Sequence, residues 1–116
     1  MYKKMIKYTD FNDNEREEPF YFHLSKHELI NMQLSAAGGL EAYINRIIET
    51  SDTKKIMDIF EEVVLNSYGI KSDDGLRFDK SEEIRNSFKN SAAFDALVTE
   101  LMTNVDAATE FINGIV

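Results

Sequence analysis

Residues 19–28, Pro19-Phe20-Tyr21-Phe22-His23-Leu24-Ser25-Lys26-His27-Glu28, change period midway. Up to Leu24 the apolar side chains alternate: Phe20, Phe22 and Leu24 point one way, Tyr21 and His23 the other. That is the pattern of a half-buried strand. Ser25-Lys26-His27-Glu28 then matches the capping box, in which the serine accepts from the third helical N–H and the glutamate reaches back. A strand therefore runs directly into a helix, and the chain mixes β and α within one short segment.

Upstream, Tyr2 to Tyr8 reads as a partner strand, with Tyr2, Ile6 and Tyr8 on one face and Lys3, Met5 and Lys7 on the other. Lys4 interrupts the apolar face, which fits an edge strand. Asp10-Phe11-Asn12-Asp13-Asn14-Glu15 supplies turn residues whose side chains bond nearby backbone and tolerate positive φ. The second strand is expected over Glu17–Leu24, with Pro19, which lacks an N–H, at its start or on an outer edge. The pair is a β-hairpin. Alone it is marginal, so Phe20, Phe22 and Leu24 must pack on helices.

Downstream the spacing predicts five or six short helices. The first opens at Ser25 with Leu29, Ile30 and Leu34 apolar, and Ala36-Ala37-Gly38-Gly39 breaks it. The second, about Leu40 to Thr50, lines up Leu40, Tyr43, Ile44, Ile47 and Ile48. Asp52 caps a third, about Thr53 to Tyr68, with Ile56, Ile59, Phe60, Val63 and Val64 as its stripe and Gly69 as the residue closing its C-terminus. Residues 70–80 form a polar connection turning at Asp74-Gly75. A fourth helix, Ser81 to about Lys89, buries Ile84 and Phe88. A fifth, about Ala92 to Thr103, aligns Phe94, Leu97, Val98, Leu101 and Met102. A sixth, about Val105 to Asn113, is apolar at Val105, Ala108, Phe111 and Ile112, with Gly114 as its cap. The fold class is α+β, mostly α: an N-terminal hairpin packed on a helical bundle. One domain over residues 1–116 is expected, hairpin 2–24 and helical part 25–114.

The chain has 116 residues, 13 basic and 21 acidic, and a formal charge of −8. That argues against a duplex nucleic-acid binder, which needs a basic face, and equally against an anionic membrane surface. There is no cysteine, so disulfide scaffolds, thiolate metal sites and thiol nucleophiles are excluded. Hydrophobic residues make up 43%, with 8 Phe and 5 Tyr, too many for a disordered chain. No run approaches the ~18 apolar residues of a membrane span, and no apolar core of a signal peptide follows Lys3, Lys4 and Lys7.

The sequence carries no catalytic or metal-binding pattern. His23 and His27 straddle a strand–helix junction and share no helix face. Asp73-Asp74-Gly75 lacks the alternation and the closing glutamate of a calcium loop. No nucleophile elbow, Walker loop or glycosidase pair is present. The expectation is no enzyme activity, no cofactor and no metal.

Charge is uneven. Residues 1–58 hold 8 basic and 10 acidic residues; residues 59–116 hold 5 and 11. Beyond Lys89 only Asp95, Glu100, Asp106 and Glu110 are ionisable. The apolar stripes of residues 92–112 either close the core or leave part of themselves exposed for docking. The expected partner surface falls there, on Leu97, Glu100, Leu101, Met102 and Phe111.

These segments together resemble the tail assembly chaperones of long-tailed phages infecting Gram-positive bacteria. The resemblance is carried by Tyr8-Thr9-Asp10 with Asn14-Glu15-Arg16, by Phe20 to Lys26 with Glu28-Leu29, by Gly38-Gly39-Leu40-Glu41, by Asp52 to Ile56, by Ser67-Tyr68-Gly69-Ile70-Lys71-Ser72-Asp73-Asp74-Gly75-Leu76-Arg77-Phe78, and by Ala107 to Val116. At the hairpin turn the family pattern is Asp-Gly, where this chain has Asn12-Asp13-Asn14. The resemblance implies a non-enzymatic protein of the infected or prophage-bearing bacterial cytoplasm that binds the phage tape measure protein. It further implies recruitment of tail tube protein, absence from the mature virion, and a short product of a gene that a frameshift can extend; self-association stays open as a further partnership. No nucleic acid and no membrane are involved. The rival expectation is a small virion structural or head–tail connector protein; a charge mimic of nucleic acid is more remote, because basic residues are spread through positions 1–89.

Overall fold

The computed structural model describes residues 1–32 and 39–116. The chain runs β1 (Tyr2–Thr9), β2 (Glu15–Phe22), α1 (Lys26–Asn31), α2 (Gly39–Glu49), α3 (Thr53–Ser67), β3 (Tyr68–Lys71), β4 (Phe78–Asp79), α4 (Glu82–Lys89), α5 (Ala92–Thr103) and α6 (Val105–Ile115). The class is α+β and mostly α. The strands form one antiparallel sheet in the order β1-β2-β3-β4.

The hairpin forms as the alternation requires. Tyr2 faces Phe22 and Thr9 faces Glu15 across the ladder. Asp10 organises the turn: its carboxylate accepts from the N–H groups of Asn12 (2.9 Å) and Asn14 (3.0 Å). Asp13 takes the left-handed conformation, φ 61°, so the Asn-Asp-Asn sequence does the work of the Asp-Gly of the family pattern. β2 starts two residues earlier than the turn residues suggested and ends at Phe22. His23 and Leu24 leave the ladder because their N–H groups donate to Ser67 O (2.8 Å) and Ile115 O (2.6 Å), at the C-terminal ends of α3 and α6. Pro19 lies opposite Met5, on a part of β2 that β3 does not reach, so its missing N–H costs no ladder bond.

The sheet is larger than the expected hairpin. Tyr68, expected as the last residue of the third helix, is extended (φ −70°, ψ 141°) and begins β3, which pairs with β2 at Tyr21 and Phe22. Gly69 is therefore a strand residue, and its role is close approach: a Cβ there would stand 2.7 Å from the Phe78 ring and 3.0 Å from Asp79 O. Residues 70–80, expected as a plain connection, instead form a second small hairpin, β3–β4. Its turn is held by Ser72, whose hydroxyl donates to Asp74 (2.7 Å) and accepts from Arg77 N–H (3.0 Å).

The helix boundaries follow the capping residues. Ser25 and Glu28 form the capping box; Asp52, Ser81, Ser91 and Asn104 cap α3 to α6. Of the break expected at residues 36–39, positions 36–38 lie outside the described residues, as does Leu34. α6 runs through Gly114, expected as its cap, and ends at Ile115.

One continuous core joins sheet and helices. Phe22, fully buried, sits among the rings of Tyr68 (5.7 Å), Phe88 (5.9 Å) and Phe111 (5.2 Å). Leu24 is buried and Phe20 half-buried against the same cluster, where Tyr68 and Phe88 stack at 4.1 Å. Rings in such offset and edge arrangements add to plain area burial.

Candidate functional site: an apolar cleft between four helices

Among the described residues, two places where several elements meet gather side chains beyond the needs of the core. The first is polar and structural. The Lys80 ammonium donates to His23 O (2.7 Å), Asn66 O (2.9 Å) and Glu28 Oε2 (2.6 Å), so its three protons are all used. It ties the segment after β2, α1 and α3 to the residue pair that leads into α4. Burial works to raise the Glu28 pKa, but the Lys80 hydrogen bond and the Ser25 N–H outweigh it and hold the carboxyl below its usual range. Beside it, His23 Nδ1 is buried with no hydrogen-bond partner. Burial first, then the positive N-terminus and Lys80, push the imidazole pKa down.

The second is a cleft of about 370 Å³ between α2, α3, α5 and α6. Ile44, Phe60, Leu101 and Ile112 form its floor, each no more than 6% exposed. Its rim keeps apolar groups in water: Ile48 is 44% exposed and Val105 80%, with Met102 half-buried between floor and rim. Asn45, Asn113, Thr109 and Glu41 supply the polar edge.

The sequence builds this cleft at the turn between α5 and α6. Asn104 closes α5 by donating its N–H to Glu100 O (2.9 Å) and opens α6 by accepting from Ala107 N–H (3.1 Å). With a single residue between the helices, Met102 and Val105 stand at the mouth, facing the α2 stripe. Such a surface takes apolar side chains, with amides at its edge to fix their orientation.

The five residues expected to form a partner surface are dispersed. Leu101 and Met102 meet in the cleft. Leu97 and Phe111 are fully buried in the interior, where a partner reaches them only by opening the fold. Glu100 lies on the other side of α5, its carboxylate 2.9 Å from the Lys4 ammonium. The apolar rest of the cleft comes from α2, α3 and α6, with Phe60, Ala108 and Ile112 beside Ile44, Ile48, Ile56 and Val105, none of them among those five. These positions lie on apolar stripes of ordinary width, such as Leu40, Tyr43, Ile44, Ile47 and Ile48 on α2, and such a stripe does not by itself tell which of its members stay open.

Among the described residues no three His, Cys, Asp or Glu side chains converge to hold a metal ion, and no helix is long and apolar enough to cross a membrane. A family model for phage tail assembly chaperones matches residues 1–116. The chain belongs to the phage tail assembly chaperone family, whose work is the building of phage tails. No curated protein and no solved structure matches it.

Proposed function

We propose that this chain binds the tape measure protein of its phage, keeps it soluble before the tube encloses it, and helps recruit tail tube subunits. It acts without catalysis in the bacterial cytoplasm, as one domain spanning residues 1–116, and does not remain in the finished virion. The observation that carries the reading is the family match over the full 116 residues. The apolar cleft supports it, since a long helical client with apolar stripes needs such a surface until assembly covers them. Release during assembly favours several weak contacts over one tight one, which suits self-association along the client.

The test is co-expression with the tape measure protein, followed by purification of mature particles. The reading expects the tape measure protein in the soluble fraction only when this chain is present, and no copies of this chain in the particle. Stoichiometric copies in washed virions would instead assign it to the tail structure or the head–tail connection.

A further inference from the structure

We propose that the cleft between α2, α3, α5 and α6 is a groove for two turns of a basic-flanked amphipathic helix. Taking that helix from a tail protein rests on the assembly-chaperone reading; the chemistry of the groove stands on the following.

The two walls are matched stripes. α2 presents Glu41, Ile44, Asn45 and Ile48, and α6 presents Val105, Ala108, Thr109 and Ile112. Both follow the i, i+3, i+4, i+7 spacing, about 10 Å along a helix axis at 1.5 Å per residue. That is the span of the i to i+7 anchors by which an amphipathic helix fills a groove. Ala108 and Thr109, at the middle of the α6 wall, are short enough to let a partner backbone come close. Met102, unbranched and half-buried, adapts to anchors of different shape.

Charge selects the flanks. Glu41 is the ionisable residue in the lining among the described residues. The four helices carry nine acidic and three basic residues, net −6 of the chain's −8. On α6, Asp106 and Glu110 are exposed beside the rim residues Val105 and Thr109. A helix with Lys or Arg flanking its apolar stripe is drawn to this field, and one with Glu there is repelled. A second copy of α5 or α6, which have no basic residue, would meet like charge.

The test uses the full chain and two labelled 18-residue synthetic peptides with Leu at i, i+3, i+4 and i+7, one flanked by Lys and one by Glu. Fluorescence anisotropy should find the Lys peptide binding at least ten-fold more tightly, with the preference shrinking as salt rises. Val105→Ser and Met102→Gln, which remove apolar contact without changing the charge, should each weaken it ten-fold or more. The first keeps the fold, since the Val105 side chain is 80% exposed. Leu76→Ser, 82% exposed on the β3–β4 hairpin, should change nothing. Failure of the wild-type chain to bind, equal binding of both peptides, or unchanged binding by natively folded rim variants overturns the proposal. So does a dimer that Val105→Ser dissociates and the Lys peptide does not displace, which would make a second copy the occupant. Co-expression with tape measure protein separates the two readings. Peptide binding without tape measure capture removes the client and leaves the groove. Capture that survives both rim substitutions leaves the client and removes the groove.

Discussion

The ammonium of Lys4 lies 2.9 Å from the carboxylate of Glu100, joining β1 to α5 across 96 positions of sequence. Lys4 sits on the inward face of β1 between Tyr2 and Ile6, so its charge is drawn under the sheet. Burial works to lower the Lys4 pKa; the Glu100 hydrogen bond and charge outweigh it, and the net direction is upward. A raised lysine pKa means stabilisation present below its unfolded value of 10.5 and lost as pH climbs past the folded one.

Glu100→Ala should therefore cost about 1 kcal/mol, because it strands a half-buried ammonium, while the pair itself is worth only ~0.5–1 kcal/mol given the exposure of Glu100. Lys4→Met places an apolar chain on an inward face and should be close to neutral. Denaturant melts of both singles and the double give the coupling, and 0.5 M salt should reduce it. A coupling indistinguishable from zero at low salt would mean the contact contributes nothing.

Tyr2 and Gly114 supply the second prediction. A Cβ on Gly114 would overlap Tyr2 Cδ1 and stand 2.9 Å from Cγ, near the base of the ring rather than its tip. The ring also packs edge-on to Phe111 at 5.6 Å, so it has little room to yield. Gly114→Ala gains about 1 kcal/mol of helix propensity, yet overpacking costs typically 1–3 kcal/mol, so a net loss is expected. Tyr2→Ala in the same chain should turn that loss into a gain, visible as a higher Tm than Tyr2→Ala alone.

Gly114 also marks what sequence reading reaches. A glycine near a helix end reads as a cap, because local conformational preference is all the sequence exposes. Here tertiary contact with a residue 112 positions away decides it. The same holds at Tyr68-Gly69, where β-pairing with Tyr21 and Phe22 extends the chain in place of another helical turn. Elements fixed by local signals were legible: the capping box at Ser25, the caps at Asp52, Ser81, Ser91 and Asn104, and the alternation through Phe22. The cleft was legible only in part, because which side of a stripe stays open depends on how four helices meet. Leu97 and Met102 carry the same periodic signal, yet one is fully buried and the other lines the cleft.

His23 gives the third prediction. Its Nδ1 is buried without a partner and its pKa lies below 6.5, chiefly through burial. For a depressed histidine the unfolded chain binds the proton more tightly, so its stabilisation is complete above pH 6.5 and falls as pH drops through the folded value. Urea melts should find stability declining between pH 7 and 5, and His23→Leu should flatten that decline. Glu28, held below 4.5 against its own burial by Lys80 and Ser25, adds a separate loss below pH 4.5 that His23→Leu leaves intact. An unchanged slope in the variant would mean that His23 does not titrate differently on unfolding.

The last prediction separates interior from rim within one stretch of sequence. Leu97→Ala empties a fully buried site and should cost ~2–5 kcal/mol; Phe111→Ala, which also removes ring contacts to Tyr2 and Phe22, should cost ~3–5 kcal/mol. Against the ~5–15 kcal/mol of a small domain, either leaves a marginal fold. Val105→Ser, on a side chain 80% exposed, should move stability by no more than about 0.5 kcal/mol. Met102→Ala, half-buried, should fall between. Capture of a tail protein, measured on the variants that melt like wild type, then tests surface rather than folding. Loss of capture by Leu97→Ala alone, at a temperature where it is still folded, would mean that the partner reaches the interior by opening α5 from its neighbours. The rim would then be bystander surface, and the melting data on Val105→Ser and Met102→Ala would carry no information about binding.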